Sequence, residues 1–219
     1  MQDAPREGTD PGVVAARAAH VRDFEQGRAA GDVEAMGAAA LALAGTYAFG
    51  AEHGRVPAFL HEAWSLAAGE QRARLAVALA RVWAWAGDAS RAAGFASEAL
   101  AAAESLGDDP LLAQALDAQL LVHWGPDDLG ARQEITARLE DTAAHVADVE
   151  TRLSAHLWRL TTALETLDLP TVRRQLRALE LLAEEAGSAR VADFSLHRLA
   201  ERYVEVYEQA IRIGTPAPA

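Results

Sequence analysis

The chain has 219 residues, of which 51% are apolar and only 6% aromatic, and its formal net charge is −12. This acidic balance argues against nucleic acid and anionic membrane surfaces as partners, since both attract basic proteins. The sequence contains no Cys, Lys or Asn, which excludes disulfides, thiolate metal sites, a P-loop lysine and a Schiff-base lysine. Strong helix formers dominate and predict an all-α fold.

The two ends of the chain are polar or rich in proline. Residues 1–10 lack the charged and apolar regions of a signal peptide. No apolar run approaches the roughly 20 residues that a membrane span needs. We therefore expect a cytoplasmic protein with a single helical-repeat domain over 11–213, and disordered tails over 1–10 and 214–219.

Between these tails, amphipathic segments alternate with short breaks. The predicted helices cover roughly 11–30, 32–49, 56–68, 70–86, 88–106, 110–123, 128–146, 148–166, 168–186 and 189–212. Candidate N-caps precede or open them at Asp32, Asp88, Asp127 or Asp128, Asp148 and Ser188. Candidate helix stops are Gly31, Gly87, Gly107 and Gly187.

One kind of corner recurs along the chain: a helix end, a small or flexible residue, an aspartate and a new helix. It occurs at 29–36, 85–92, 124–131 and 166–172. Three of its aspartates (88, 128 and 168) follow each other at intervals of 40 residues. A fixed period of helix pairs is typical of an α-solenoid, and the longer first interval indicates an inserted turn and helix.

Alanines flank the corner at Gly87. They predict close packing between the helices of a pair and between neighbouring pairs, with Leu79 and Trp83 filling the grooves beside them. The alanines concerned are Ala76, Ala80, Ala92, Ala96 and Ala99.

Four segments together resemble a known family. They are AAGDVEAMGAAALALAGTYAFG, VWAWAGDASRAAGFASEALAAAESLGD, LLVHWGPDDL and HLWRLTTALETLDLPTVRRQLRALELLAEE. They resemble the degenerate tetratricopeptide sensor region of MalT-like and LuxR-type signal-transduction regulators of actinobacteria, over about 30–195. The resemblance implies an array that binds proteins or small inducers without catalysis. The ATPase and helix-turn-helix domains of that family are missing.

Catalytic and metal-binding patterns find no support in the sequence. None of the seven histidines forms an i, i+4 pair on a predicted helix. No serine lies in a G-x-S-x-G elbow, and the paired carboxylates lie in or beside turns. The sequence therefore predicts no enzyme, no cofactor and no metal.

Candidate ligand-binding residues lie on two predicted helices and beside one corner. The resemblance implies that the first helix of each pair lines a concave groove, where arginines could clamp a carboxylate of a peptide or metabolite. Ordinary surface ion pairing is the alternative, since Glu70 and Arg74 are an i, i+4 pair. The candidates are Arg74, Arg81, Trp85, His123, Trp124, His156 and Arg159.

The sequence thus predicts a tetratricopeptide-like α-solenoid of antiparallel helix pairs with a long C-terminal helix. Its predicted function is non-catalytic binding of a protein or peptide partner or of a small effector, as an adaptor or sensor. The apolar face of 189–212 either caps the array or pairs with a second copy in a homodimer. The alternative is a small enzyme or small-molecule-binding protein with an enclosed pocket, using His123, His156 and Arg159.

Overall fold

The computed structural model describes residues 11–47 and 54–186. Those residues form nine α-helices and no strand, so the predicted all-α fold is confirmed. The helices are α1 (Pro11–Ala30), α2 (Val33–Ala44), α3 (Val56–Leu66), α4 (Gly69–Trp85), α5 (Ala89–Leu106), α6 (Asp109–Val122), α7 (Leu129–Ala143), α8 (Val149–Glu165) and α9 (Leu169–Ala186).

The junctions α1–α2, α4–α5, α5–α6 and α8–α9 share one local geometry. In each, a residue with a left-handed φ between 58° and 78° follows the helix, and an aspartate comes next. At the α4–α5 junction the Asp88 amide donates to the Trp83 carbonyl at 2.9 Å, and the Asp88 carboxylate accepts from the Arg91 amide at 3.1 Å. Both bonds satisfy backbone groups that helix ends leave open. The left-handed residues are Gly31, Gly87, Gly107 and Leu167.

The helices group into two compact units, α1–α6 and α7–α9. In the first unit each helix packs against the next along the chain, and α2 and α6 also pack against α4. In the second unit α8 packs against both α7 and α9. The single domain predicted over 11–213 extends past the described residues and stays a prediction.

Helix α4 is the centre of the first unit because it contributes to two hydrophobic clusters. Leu75, Leu79 and Val82 pack with α1, α2 and α3. The alanines on another side of α4, including Ala76 and Ala80, pack with α5 and α6. All five alanines that the sequence analysis assigned to close packing are 0% exposed. Small side chains let these helices approach closely, and the leucines fill the wider gap.

Two local predictions differ from the structure. Helix α2 ends at Ala44 instead of residue 49. Beyond it, the Thr46 and Tyr47 amides bond to the Leu43 and Ala44 carbonyls at 3.1 and 3.2 Å, a tightened final turn. The junction at 124–131 is not a corner of the shared type. There the Gly125 amide bonds to the nearby His123 carbonyl, Pro126–Asp128 form a 3-10 turn, and Asp128 makes no capping bond to α7.

The corner at Gly107 and Asp108 does have the shared geometry. The matching corners therefore do not follow the regular 40-residue spacing. The other predicted helix bounds within 11–186 agree with the structure to within three residues. The predicted helix over 189–212, its pairing with a second copy and the two tails lie outside the described residues.

Candidate functional site

A groove of about 300 Å³ lies along α4 and is bounded by α2 and α6. We call it the α4 groove. Its floor is aliphatic, since Val77 and Val82 are buried beneath it. Its polar walls are two arginines, a tyrosine, a tryptophan and a glutamine, and no carboxylate of the described residues lines it. The polar residues are Arg74, Arg81, Tyr47, Trp85 and Gln114.

Three sequence-predicted residues come together here, on one face of α4. Arg74, Arg81 and Trp85 follow each other at helical spacing and all line the groove. Each is partly exposed. The face predicted for ligand binding is thus the face that the fold leaves open between α2 and α6.

The two arginines are held to different degrees. Arg74 donates from Nε to Glu70 at 2.8 Å within α4, and both side chains of this pair are more than 40% exposed. Such exposed pairs contribute little and exchange readily with another carboxylate. Arg81 donates from Nη2 to Asp117 on α6 at 2.7 Å, while its buried Nε has no acceptor among the described residues. Arg81 is the positioned cation and Arg74 the adaptable one.

His156 and Arg159 lie in the second unit, in a polar network that joins its three helices. The His156 Nδ1 is 2.7 Å from the Gln175 Oε1 on α9. Gln175 in turn donates to Glu140 on α7 at 3.2 Å, and the Arg159 guanidinium is 3.6 Å from the same carboxylate. These contacts hold the helices together, and neither residue lines the α4 groove.

The start of α9 beside this network carries a perturbed carboxyl group. The Thr171 hydroxyl and then the Thr171 amide donate to Asp168, and the charges of Arg174 and Arg159 act in the same direction. Together they lower the pKa of Asp168, because each favours the ionised form. The group serves as a helix cap, since its acceptors point back into the first turn of α9.

His123 and Trp124 follow α6 at the end of the first unit. His123 is the C-cap of α6 and is partly buried. Trp124 is 59% exposed. Neither lines the α4 groove, so only three of the seven predicted residues line it.

The remaining tryptophans are buried or partly buried between helices. Trp158 is 7% exposed and buried in the second unit, whereas Trp83 is partly buried and packs against the α1–α4 core. Trp64 binds Glu98 on α5 through its indole N–H at 3.0 Å and lies 4.1 Å below the Arg72 guanidinium. This set ties α3, α4 and α5 together.

The described part of the chain holds no cluster of three or more His, Asp or Glu side chains arranged for a metal ion. Within the same residues, every helix is too short or too polar to cross a membrane.

Comparisons with protein-family models, curated proteins and solved structures yield no match to this chain. The function proposed below therefore rests on the geometry of the described residues.

Sequence reasoning missed the α2 and α6 walls of the groove. Tyr47 falls in the predicted helix 32–49, beyond the point where α2 ends, and Gln114 is one of several polar residues on a largely apolar helix. A signal for Tyr47 exists in Gly45, because a glycine is a common helix stop and places Tyr47 just past the end of α2.

Proposed function

We propose that this protein is a non-catalytic helical-repeat module, and that it holds an acidic peptide segment of a partner protein in the α4 groove. In this proposal it works in the cytoplasm as an adaptor or sensor. The observation that carries the proposal is the α4 groove itself: its described lining has two arginines and no carboxylate, in a chain of net charge −12. An acidic segment complements that lining.

The packing pattern supports a tetratricopeptide-like array in the first unit. Helices α2, α4 and α6 pack side by side while α3 and α5 alternate with them along the chain. Side-chain hydrogen bonds between alternate helices join residues separated by 34 to 37 positions. The tetratricopeptide period is about 34 residues, so such contacts are typical of stacked helix pairs. The bonded pairs are Arg28–Glu62, Glu34–Gln71, Trp64–Glu98, Arg81–Asp117 and Glu140–Gln175.

One ion pair supports antiparallel pairing in the second unit. Arg132 in the first turn of α7 binds Glu165 at the last residue of α8 at 2.6 Å. A start-to-end contact between consecutive helices is what an antiparallel pair gives. This agrees with the resemblance to the sensor region of MalT-like and LuxR-type regulators, which we keep as part of the proposal.

The aromatic residues of the groove suit a peptide ligand. Trp85 and Tyr47 offer rigid contact area from two elements, on α4 and just after α2. Aromatic anchors beside arginines are common where peptides and proteins bind. The aliphatic floor formed by Val77 and Val82 would take an apolar side chain between two acidic ones.

The rival proposal, an enzyme with an enclosed pocket, needs His123, His156 and Arg159 at one cavity wall. None of them lines the α4 groove. His156 and Arg159 are engaged in contacts between α7, α8 and α9. The arrangement therefore favours binding over catalysis.

Peptide selection tests the proposal without knowledge of the partner. The full chain is immobilised and used to select from a display library of random linear dodecapeptides. We expect enrichment of peptides with two or more Asp or Glu residues around an apolar position. Affinities of the selected peptides are then measured by fluorescence anisotropy at two salt concentrations, because a charge-driven contact weakens with salt.

Arg74→Gln is the informative variant, because the Arg74–Glu70 pair is exposed and its loss barely affects stability. We expect it to weaken binding of an acidic peptide about fivefold to tenfold, the value of one charge-assisted hydrogen bond near the surface. Arg91→Gln makes the same change in net charge on α5, outside the groove, and should change affinity less than about twofold. Selection of peptides without acidic residues, or equal losses in both variants, would refute the proposal.

A further inference from the structure

A second groove, of about 520 Å³, lies between α1, the end of α2 and the start of α3. We call it the α1 groove. Three arginines line it, two from α1 and one at the N-cap of α3. Apolar side chains, among them Val21 and Leu43, form the rest of its wall. The arginines are Arg17, Arg22 and Arg55.

None of these three guanidinium groups forms an ion pair with a described carboxylate. This sets them apart, because inter-helix arginines elsewhere, such as Arg72 and Arg132, each bind a carboxylate of another helix. Among the described residues, no aspartate or glutamate lines the groove. Three positive charges that no described carboxylate compensates, gathered around one concavity, are unexpected in a protein of net charge −12, and they attract an anion.

Arg17 is fixed in place by neutral partners. Its Nε donates to the Thr46 hydroxyl at 3.1 Å, and its Nη2 donates to the Thr46 carbonyl at 2.7 Å. Its guanidinium carbon lies 3.7 Å from the centre of the Tyr47 ring. These contacts hold the group rigidly and leave its charge unneutralised, so it is preorganised for an anionic ligand.

The other two cations are adaptable. Arg55 extends over Phe59, with its guanidinium carbon 5.0 Å from the ring centre. Arg22 is exposed on α1. One fixed and two mobile guanidinium groups can close around an anion from different helices, and arginine forks match phosphate oxygens well.

We propose that the α1 groove binds the phosphate monoester group of a small molecule. A phosphate monoester carries close to two negative charges at neutral pH and three acceptor oxygens, which suits three guanidinium groups. The groove volume lies in the range of small-molecule sites, about 300–1,000 Å³. The apolar wall would contact the organic part of the ligand. This site is separate from the α4 groove, with Tyr47 as a shared boundary residue.

Isothermal titration calorimetry of the full chain tests the site with three probes: phenyl phosphate, inorganic phosphate and benzoate. We expect phenyl phosphate to bind more tightly than inorganic phosphate, through its ring, and more tightly than benzoate, through its second charge. Arg22→Gln and Arg55→Gln should each weaken binding of phenyl phosphate about tenfold. Arg74→Gln removes the same charge from the α4 groove and should change this affinity less than about twofold.

Circular dichroism of each variant shows whether it folds, and Arg55→Lys keeps the charge while removing the fork. In ¹H–¹⁵N spectra, the Nε–H signal of Arg17 should shift on addition of phenyl phosphate. Absence of binding, equal affinity for benzoate, or an equal loss in Arg74→Gln would each overturn the proposal. Binding of a phosphoserine peptide but not of phenyl phosphate would replace the small molecule with a protein ligand. Unchanged binding of acidic peptides to Arg22→Gln would show that the two grooves act separately.

Discussion

The recurring corners allow a test of how the left-handed residue at a helix junction contributes to stability, and Gly87 is the most informative position for it. Gly87 has φ of +78° between α4 and α5, and a Cβ added there would meet nothing within 4 Å. Gly94 lies seven residues further on, inside α5, and its Cβ would also meet nothing within 4 Å. The substitutions Gly87→Ala and Gly94→Ala therefore differ in backbone conformation and not in steric fit.

The expected effects have opposite signs. At Gly87 the alanine must adopt a left-handed conformation, which costs about 1–2 kcal/mol, and the reduced entropy of the unfolded chain offsets up to about 1 kcal/mol of that. We expect Gly87→Ala to destabilise the protein by about 1 kcal/mol. At Gly94 the backbone is already helical, so Gly94→Ala should stabilise it by about 0.8–1 kcal/mol.

Urea unfolding followed by tryptophan fluorescence measures both variants. Four of the five tryptophans (Trp64, Trp83, Trp85 and Trp124) belong to the unit formed by α1–α6. With a slope of about 1–3 kcal/mol per molar urea, a change of 1 kcal/mol moves the midpoint by about 0.3–1 M. Midpoints that move in the same direction for both variants, or no loss in Gly87→Ala, would refute the assignment of this corner to its left-handed residue.

Two further predictions concern the second unit. Glu165→Gln removes the Glu165 carboxylate from its ion pair with Arg132, whose side chain is only 5% exposed. Because Glu165 is itself partly exposed, we expect a loss of about 1–3 kcal/mol in unfolding free energy. Glu70→Gln, at an exposed pair, should cost less than about 0.5 kcal/mol. Equal losses would contradict the role of burial. Thr171→Val removes the main hydrogen bond that lowers the pKa of Asp168, so that pKa should rise when followed by NMR titration. A carboxyl group whose pKa is lowered by folding stabilises the protein above its ordinary pKa, and this stabilisation is lost as pH falls through the pKa of the folded state. The variant should therefore lose less stability on acidification. An unchanged pKa of Asp168 would contradict the role of the Thr171 hydroxyl.

The two grooves follow from one structural feature, the early end of α2. Because α2 stops at Ala44, Tyr47 reaches the boundary between them and lines both. Arg17 stacks on this ring from the α1 side, while Arg74 and Arg81 approach the other groove from α4. A ligand in either groove would therefore touch a residue that also borders the other one.

Most local signals of the sequence agree with the described residues. Gly31, Gly87 and Gly107 end helices with positive φ, as their positions predicted. Asp32, Asp88 and Asp148 cap helices through their carboxylates. These signals act within one helical turn, so neighbouring residues alone contain them.

The sequence prediction of a corner was wrong at one segment, because the same local pattern can form more than one structure. The 124–131 segment has the composition of the other corners, yet it forms a 3-10 turn. Leu167 takes a left-handed conformation that its side chain does not favour. The corner forms there all the same: the Asp168 amide bonds to the Ala163 carbonyl at 2.9 Å, and its carboxylate accepts from the Thr171 amide.

By itself, the sequence determined the helices, most of their ends, the alanine-based contacts of α4 and the face that carries Arg74, Arg81 and Trp85. The tertiary structure decided which residues meet across helices. Tyr47 and Gln114 line the α4 groove with that face of α4. His156 and Arg159 belong to the polar network of the second unit, and three arginines line the α1 groove. The physical reason is range. Capping and periodicity act over a few residues, whereas each groove forms from side chains of different helices, which meet only when the helices pack.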